Sequence, residues 1–280
     1  MLRRASYLVQ RYALGRDTVL ARLPQFDLEL RVPSRDALGR NLFTDGIHAP
    51  AVADFLATGM QLQPGELAFD IGAGVGWHSL LLSRVVPRGA EIHAFEPDPW
   101  ARGLLRENAA RNRADGLCVV EAAVGPAPGK ARLHRYGSRR EQGRWRARRT
   151  AAIDVPMVSL DDYCRGAGLA GRPVGFIKLG VQGFELQVLE GARATLARCR
   201  LLLTEFAPDD IYRSGVHPAQ LLDLLVELGF IPELLTTAGA VAVTRAEILA
   251  SGKPQDIRWR RPGGSARPVP AAPDPRALAI

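Results

Sequence analysis

Apolar residues recur along this chain in two alternating patterns, and their order predicts an architecture. Near-continuous apolar runs occur at Glu66–Ile71, Glu91–Phe95, Leu117–Val124, Val174–Gly180 and Leu201–Phe206. Such runs read as strands covered on both faces, as in parallel sheets. Between them lie stretches with helical spacing: Leu80, Leu81 and Val85; Leu104, Leu105 and Ala109 within 99–113; Val188, Leu189, Ala192 and Leu196 within 184–196; and the segment 218–228. Strands separated by helices imply right-handed crossovers, hence an α/β chain with a mostly parallel sheet and helices on both faces. Phe230–Leu235 and Ala240–Val243 are expected to pair around the turn Thr236–Gly239.

Before this alternation the pattern is shorter and mixed. Residues 1–22 read as an amphipathic helix (Leu2, Tyr7, Leu8, Tyr12, Leu20), and Phe26–Val32 alternates with period two as a strand. Ala49–Leu62 reads as a helix with Pro50 in its first turn. Residues 1–63 are therefore expected to form a cap over the sheet or a dimer arm, which makes a homo-oligomer one of the readings. The main domain is expected over 64–250. From residue 251 the chain carries six prolines and mixed charge, so 251–280 reads as an extended or disordered tail.

The chemistry gathers at the ends of the first two main strands. Phe69-Asp70-Ile71 runs into Gly72-Ala73-Gly74-Val75-Gly76, and Phe95 into Glu96-Pro97-Asp98. A dinucleotide fingerprint would need glycine at 77, where Trp77 stands. An acid two residues before the turn also disfavours a pyrophosphate at the helix start. Asp70 suits a cation instead, such as the amino-acid end of S-adenosylmethionine, and Glu96 can accept hydrogen bonds from two ribose hydroxyls. Gly72, Gly74 and Gly76 let the backbone approach a ligand without Cβ obstruction. Glu121 and Ala122, within the third strand, are expected near the adenine edge of the same sheet. The alternative is an ordinary glycine turn joining strand to helix. The positions of Asp70 and Glu96 at strand carboxyl ends, where open sheets bind ligands, weigh for the cofactor.

Composition adds less. The 47% hydrophobic and 24% charged content fits a globular protein. Cys118, Cys164 and Cys199 are odd in number and widely spaced, which suggests neither a disulfide framework nor a zinc site and fits a reducing compartment. With no apolar run near the length of a membrane span and no signal-peptide pattern, the expectation is a cytoplasmic protein. The net charge of +8 is concentrated: residues 130–149 hold nine Lys/Arg and one acid, Glu141. Arg139, Arg140, Arg144, Arg146, Arg148 and Arg149, with Tyr136 and Trp145 among them, could face nucleic acid or an anionic substrate. Charge runs are more often solvated loops or hairpins.

Five segments taken together resemble one family: Phe69–Gly76, Ala94–Asp98, Ser159-Leu160-Asp161-Asp162-Tyr163, Phe176–Glu185 and Val188-Leu189-Glu190-Gly191-Ala192. In that order they are similar to the FkbM family of methyltransferases, over about residues 40–235. The resemblance implies a Rossmann-like class I methyltransferase fold with a seven-stranded sheet. It also implies methyl transfer from S-adenosylmethionine to a hydroxyl of a sugar, polyketide or related metabolite. By position, Asp70, Gly72, Gly74 and Glu96 resemble the family's cofactor residues.

One residue departs from the family pattern. Gly180 stands where the family has an aspartate, at the carboxyl end of the strand beside the expected cofactor. A carboxylate there could act as base or help hold a metal, and glycine can do neither. Lys178, on the same strand face, could take the hydroxyl proton if desolvated, or pair with a buried acid such as Glu205 or Glu185. His78, just after the glycine turn, is a second candidate base, with packing as its plainer role. No metal is expected. The leading expectation is an O-methyltransferase on a small, hydroxylated acceptor. The alternatives are a catalytically impaired cofactor-binding homologue and a nucleic-acid methyltransferase.

Overall fold

The computed structural model describes residues 2–133, 136–141, 144–149 and 152–262, with the backbone alone for 136–141 and 144–149. The N-terminal segment opens with a short helix, Leu2–Leu8, which widens over Val9–Ala13. It then turns at Gly15, in the left-handed region, into a hairpin of β1 (Thr18–Leu23) and β2 (Leu28–Pro33). The helix expected over 1–22 therefore ends early, because the β-branched Thr18 and Val19 follow that glycine. A helix not foreseen, Ala37–Thr44, is capped by Asp36, whose carboxylate accepts from the Gly39 amide. The helix starting at Pro50 runs only to Gly59.

β3 (Leu67–Ile71), β4 (Glu91–Phe95) and β5 (Leu117–Val120) alternate with helices Trp77–Val85 and Pro99–Arg111. The chain then passes through β6 (Ala123–Val124), β7 (Gly129–Leu133), a hairpin of β8 (Tyr136–Glu141) and β9 (Arg144–Arg149), and β10 (Ile153–Val158). β6, β10 and β7 form a separate small sheet, so the strand expected over 117–124 is divided between two sheets. Residues 136–141 and 144–149 of the basic segment make the β8–β9 hairpin, and the side chains of Tyr136, Arg139, Arg140, Arg144, Trp145, Arg146, Arg148 and Arg149 lie outside the described residues.

β11 (Val174–Leu179), β12 (Cys199–Phe206), β13 (Ile231–Thr236), β14 (Gly239–Ala242) and β15 (Gln255–Arg260) complete an eight-stranded sheet. Its order is β14-β13-β15-β12-β11-β3-β4-β5, with β12, β11, β3, β4 and β5 mutually parallel. The α/β class and mostly parallel sheet agree with the sequence reading, with one strand more than the seven expected. The expected tail needs correction: β15 lies between β12 and β13, antiparallel to both, and buries Ile257 and Trp259 completely. Trp259 also donates its indole N–H to Thr204 Oγ1 at 3.0 Å. Pro254 and Pro262 flank this strand without entering it, so prolines mark its ends.

Alternation along the central strands divides the core. Phe69, Ile71, Ile177, Leu179 and Leu202 face helices Leu160–Gly166, Glu185–Glu190 and Pro218–Glu227. Ala68, Phe176 and Leu203 face the other way, onto Trp77, Leu80 and Leu81 and onto Leu30, Leu42 and Leu56 of the N-terminal segment. Each such side chain contributes roughly 1.5–3 kcal/mol by leaving water. The N-terminal segment thus covers one face of the sheet and shares its core.

Two asparagines fasten that cover. Asn108 accepts from the Arg31 amide (2.7 Å) and donates to the Arg31 and Val75 carbonyls (3.0 and 2.9 Å). Asn112, one helical turn on, accepts from the Glu29 amide (2.9 Å) and donates to its carbonyl (2.7 Å). Four helical residues rise about 6 Å and two strand residues about 6.7 Å, so one pair of carboxamides matches alternate residues along the β2 edge. That edge is thereby satisfied and closed to further strands. Asn108 is fully buried. Asn108→Ala is expected to lower stability by ~2–4 kcal/mol in denaturant unfolding, because it strips partners from several buried backbone groups. A loss below about 0.5 kcal/mol, the size of an ordinary surface change, would contradict this role.

Candidate functional site

The strand order reverses at β3: β4 and β5 lie to one side, β11 and β12 to the other. In open α/β sheets such a switch point leaves a crevice at the strand carboxyl ends. Two loops meet there. Gly72 has φ +79°, and a Cβ on it would lie 2.2 Å from the Gly180 carbonyl oxygen, so only glycine allows this contact. The Gly180 amide donates to the Ile71 carbonyl at 3.0 Å, which joins the loops from the other side.

Beneath them lies a buried ion pair. Register aligns Asp70 of β3 with Lys178 of β11, and Lys178 Nζ stands 3.1 Å from Asp70 Oδ1. The ammonium also donates to the Gly72 carbonyl (3.1 Å), and Ser79 Oγ donates to Asp70 Oδ2 (2.5 Å). Burial by itself would raise the Asp70 pKa, but Lys178, His78 and Ser79 hold it below the ordinary value. This corrects two expectations. Asp70 has no exposed surface and both oxygens are engaged, so it positions the turn rather than meeting a ligand cation. Lys178 takes the structural pairing, but with Asp70 in place of Glu205 or Glu185.

The glycine turn itself is closed to anions. The amides of Gly72 and Ala73 both donate to the Phe95 carbonyl, and that of Gly74 to Glu96 Oε2 (2.7 Å). Glu96 Oε1 accepts the Asp98 amide (2.8 Å). Burial raises the Glu96 pKa against these two amides. A carboxylate has about four acceptor positions, so each oxygen keeps one for a further donor. Gly74, at φ +56°, has open space where a Cβ would stand, whereas Gly76 is packed against Leu105. Glu121 lies past the end of β5, half exposed, paired with Arg106 and Arg102 (3.2 Å to the latter); the Arg106 hydrogen bond first, then the Arg102 charge, lower its pKa. Ala122 is buried beside it.

His78 does not behave as a base. Burial first, then the Lys178 charge, push its pKa down to about 3, and Asp70 compensates only in part. The ring stays neutral, with Nε2 lacking a hydrogen-bond partner among the described residues. A nitrogen that binds protons this weakly is a poor acceptor for a hydroxyl proton near neutrality. Its neighbour Trp77 donates to the His48 carbonyl (3.1 Å), which brings the N-terminal cover to the edge of the site.

The sequence reading missed one pair of residues here. Glu205 of β12 faces Asp256 of β15 across the antiparallel register. Burial first, then the Glu205 charge, push Asp256 up to about 6, with Lys178 opposing. Asp256 was hidden because β15 was read as tail; the alternation of Ile257 and Trp259 was its only signal. Glu185 (1% exposed) uses Oε1 to accept the Val181 and Gly183 amides, which shapes the loop after Gly180, while Oε2 has no hydrogen-bond partner among the described residues. Among the described residues no group of three or more His, Cys, Asp or Glu could hold a metal ion.

Comparison with known proteins shows the family. Residues 70–232 match the methyltransferase FkbM domain, more than half of the chain. The chain is 27% identical over 180 residues to the 2-O-methyltransferase NoeI of Sinorhizobium fredii, covering 58% of this chain and 72% of that protein. It is 28% identical over 200 residues to the 31-O-demethyl-FK506 methyltransferase FkbM of Streptomyces tacrolimicus, covering 60% and 73%. It is also 24% identical over 168 residues to the hexuronic acid methyltransferase AglP of Haloferax volcanii, covering 60% and 64%.

Removing one partner of the Lys178–Asp70 pair strands a buried charge. Lys178→Met is expected to cost ~3–5 kcal/mol. Adding Asp70→Asn should recover part of this, a coupling that a double-mutant cycle in denaturant measures. Because the folded pKa of Asp70 is depressed, its contribution is complete above about pH 4 and is lost as pH falls through the folded value. The wild type should therefore lose more stability in that acid window than the double variant, and equal acid profiles would refute the assignment.

Proposed function

The chain belongs to the FkbM methyltransferase family, and from that premise we propose that its acceptor is a hydroxyl of a sugar, polyketide or related small metabolite. It is an S-adenosylmethionine-dependent methyltransferase. When bound, that cofactor supplies a methyl group already activated on a sulfonium. Two relatives name their acceptors, 31-O-demethyl-FK506 and hexuronic acid, and the second carries a carboxylate. The chain's basic excess suits an anionic acceptor of that sort. We read the protein as cytoplasmic; among the described residues no helix is long and apolar enough to cross a membrane.

The observation that carries the cofactor site is Glu96. Its carboxylate is held at the edge of the glycine turn by two backbone amides and keeps acceptor capacity for a ribose diol. The residues present therefore fit the cofactor: Glu96 would hold the ribose, Gly74 would let the backbone lie close, and Ala122 would border the base. Asp70 and Lys178 act from below by fixing the loops after β3 and β11. This arrangement holds two reactants in one crevice, and positioning alone supplies much of the acceleration of a bimolecular transfer.

Titration calorimetry with S-adenosylhomocysteine tests the site. The wild type should bind in the micromolar range, and Glu96→Ala should weaken binding tenfold or more, about 1.4 kcal/mol. Label from [methyl-3H]S-adenosylmethionine should then reach a hydroxyl within a panel of methyl glycosides, methyl hexuronates and hydroxylated macrolides. A folded wild type that does not bind S-adenosylhomocysteine would end this reading.

A further inference from the structure

Registers across five strands place a row of residues at one level on one face of the sheet. The aligned set Ala94, Asp70, Lys178, Leu203 and Arg258 runs across β4, β3, β11, β12 and β15. Two residues nearer the crevice, Glu205 and Asp256 stand on the same face, and Glu96, Gly72 and Gly180 follow just past the ends of β4, β3 and β11. The row has acids at both ends and two glycines between. Asp70 and Lys178 lie below the gap as a neutralised pair.

The gap is maintained by what surrounds it. A Cβ at 180 would lie 2.6 Å from Lys178 Nζ, so the lysine bound to Asp70 occupies the space an aspartate there would need. The family's carboxylate is thus absent, and its place is taken by a cation. Across the gap from Glu96, Glu205 is exposed and Asp256 half-buried, so this pair is open to an incoming molecule. Among the described residues, His78 Nε2, beside Lys178, and Glu185 Oε2, near Glu205, have no hydrogen-bond partner. Glu185 is 1% exposed, and an unsatisfied buried polar atom is costly until a ligand supplies a partner.

We propose that Asp256, backed by Glu205, receives the proton of the acceptor hydroxyl, in place of the carboxylate that Gly180 lacks. This rests on the O-methyltransfer reading. As the acceptor oxygen bonds to the methyl carbon, the methyl–sulfur bond breaks with its electron pair going to sulfur, and the hydroxyl proton passes to the Asp256 carboxylate. The charges facing Asp256 are Glu205 from β12 and Lys178 from β11; Arg258, two residues along β15, is paired with Glu233 of β13. Burial and Glu205 keep Asp256 near 6, closer to neutrality than an ordinary aspartate and so better matched to general-base work. Asp256 lies beyond residues 70–232, which the family domain matches.

The test pairs a titration with kinetics. In protein carrying 13C-labelled aspartate carboxyls and saturated with S-adenosylhomocysteine, one resonance absent from Asp256→Asn should titrate near 6, and Glu205→Gln should move it toward the ordinary 3.8. With the best acceptor of the panel above, Asp256→Asn should lower kcat by about 100-fold or more while S-adenosylhomocysteine affinity changes less than about twofold. An Asp256 resonance titrating near 3.8, or unchanged kcat in Asp256→Asn, would overturn the proposal. The Glu205→Gln shift decides it if Asp256→Asn does not fold. Failure of the wild type to bind S-adenosylhomocysteine would instead overturn the methyltransferase reading, and this assignment with it.

Discussion

The buried pair of Lys178 and Asp70 is the constraint on which the site depends. Taking both charges out of water costs several kcal/mol each, which their attraction offsets only at close range with further hydrogen bonds. Ser79 and the Gly72 carbonyl supply those bonds. The pair ties β3 to β11 where the strand order reverses, and so fixes the two loops that form the crevice floor. Gly72 and Gly180 follow from it: one allows the loops to touch, and the other leaves room for the ammonium. These polar residues thereby set the shape of the crevice floor.

The cover over this face is held by a different kind of interaction. Asn108 and Asn112 pair with the backbone of β2 as a neighbouring strand would, and Asn108 also grips the Val75 carbonyl within the glycine turn. The N-terminal hairpin, the helix after β4 and the turn are thereby joined by hydrogen bonds. Trp77 extends this unit to His48. A segment that looked separate in sequence is mechanically part of the site's wall.

The parallel half of the sheet was legible because its strands are near-continuous apolar runs, a signal that survives without knowledge of neighbours. The turn Gly72–Gly76 and Glu96 were legible because their residue types are required by local geometry. Partnerships were not. That Lys178 pairs with Asp70 rather than Glu205 depends on register, and nothing in a one-dimensional pattern separates the three acids. Asn108 reads as a polar residue on a surface helix until β2 is laid beside it. β15 was lost because a six-residue strand with two large apolar residues between prolines is outweighed by its surroundings. Asp256 was lost with it.

The position of β15 has a consequence for how the molecule is made. β12 and β13 are not neighbours, and the strand between them is the latest in sequence of the eight. Until residues 255–260 leave the ribosome, β12 presents a bare edge with unpaired amides and carbonyls, and the hairpin of β13 and β14 has no sheet to join. Closure then requires pairing over long sequence separation, a slow kind of step that leaves an edge open to other chains. Completion of the sheet and arrival of Asp256 beside Glu205 are therefore one event, and a nascent chain stalled short of that strand would be both unfinished and prone to associate.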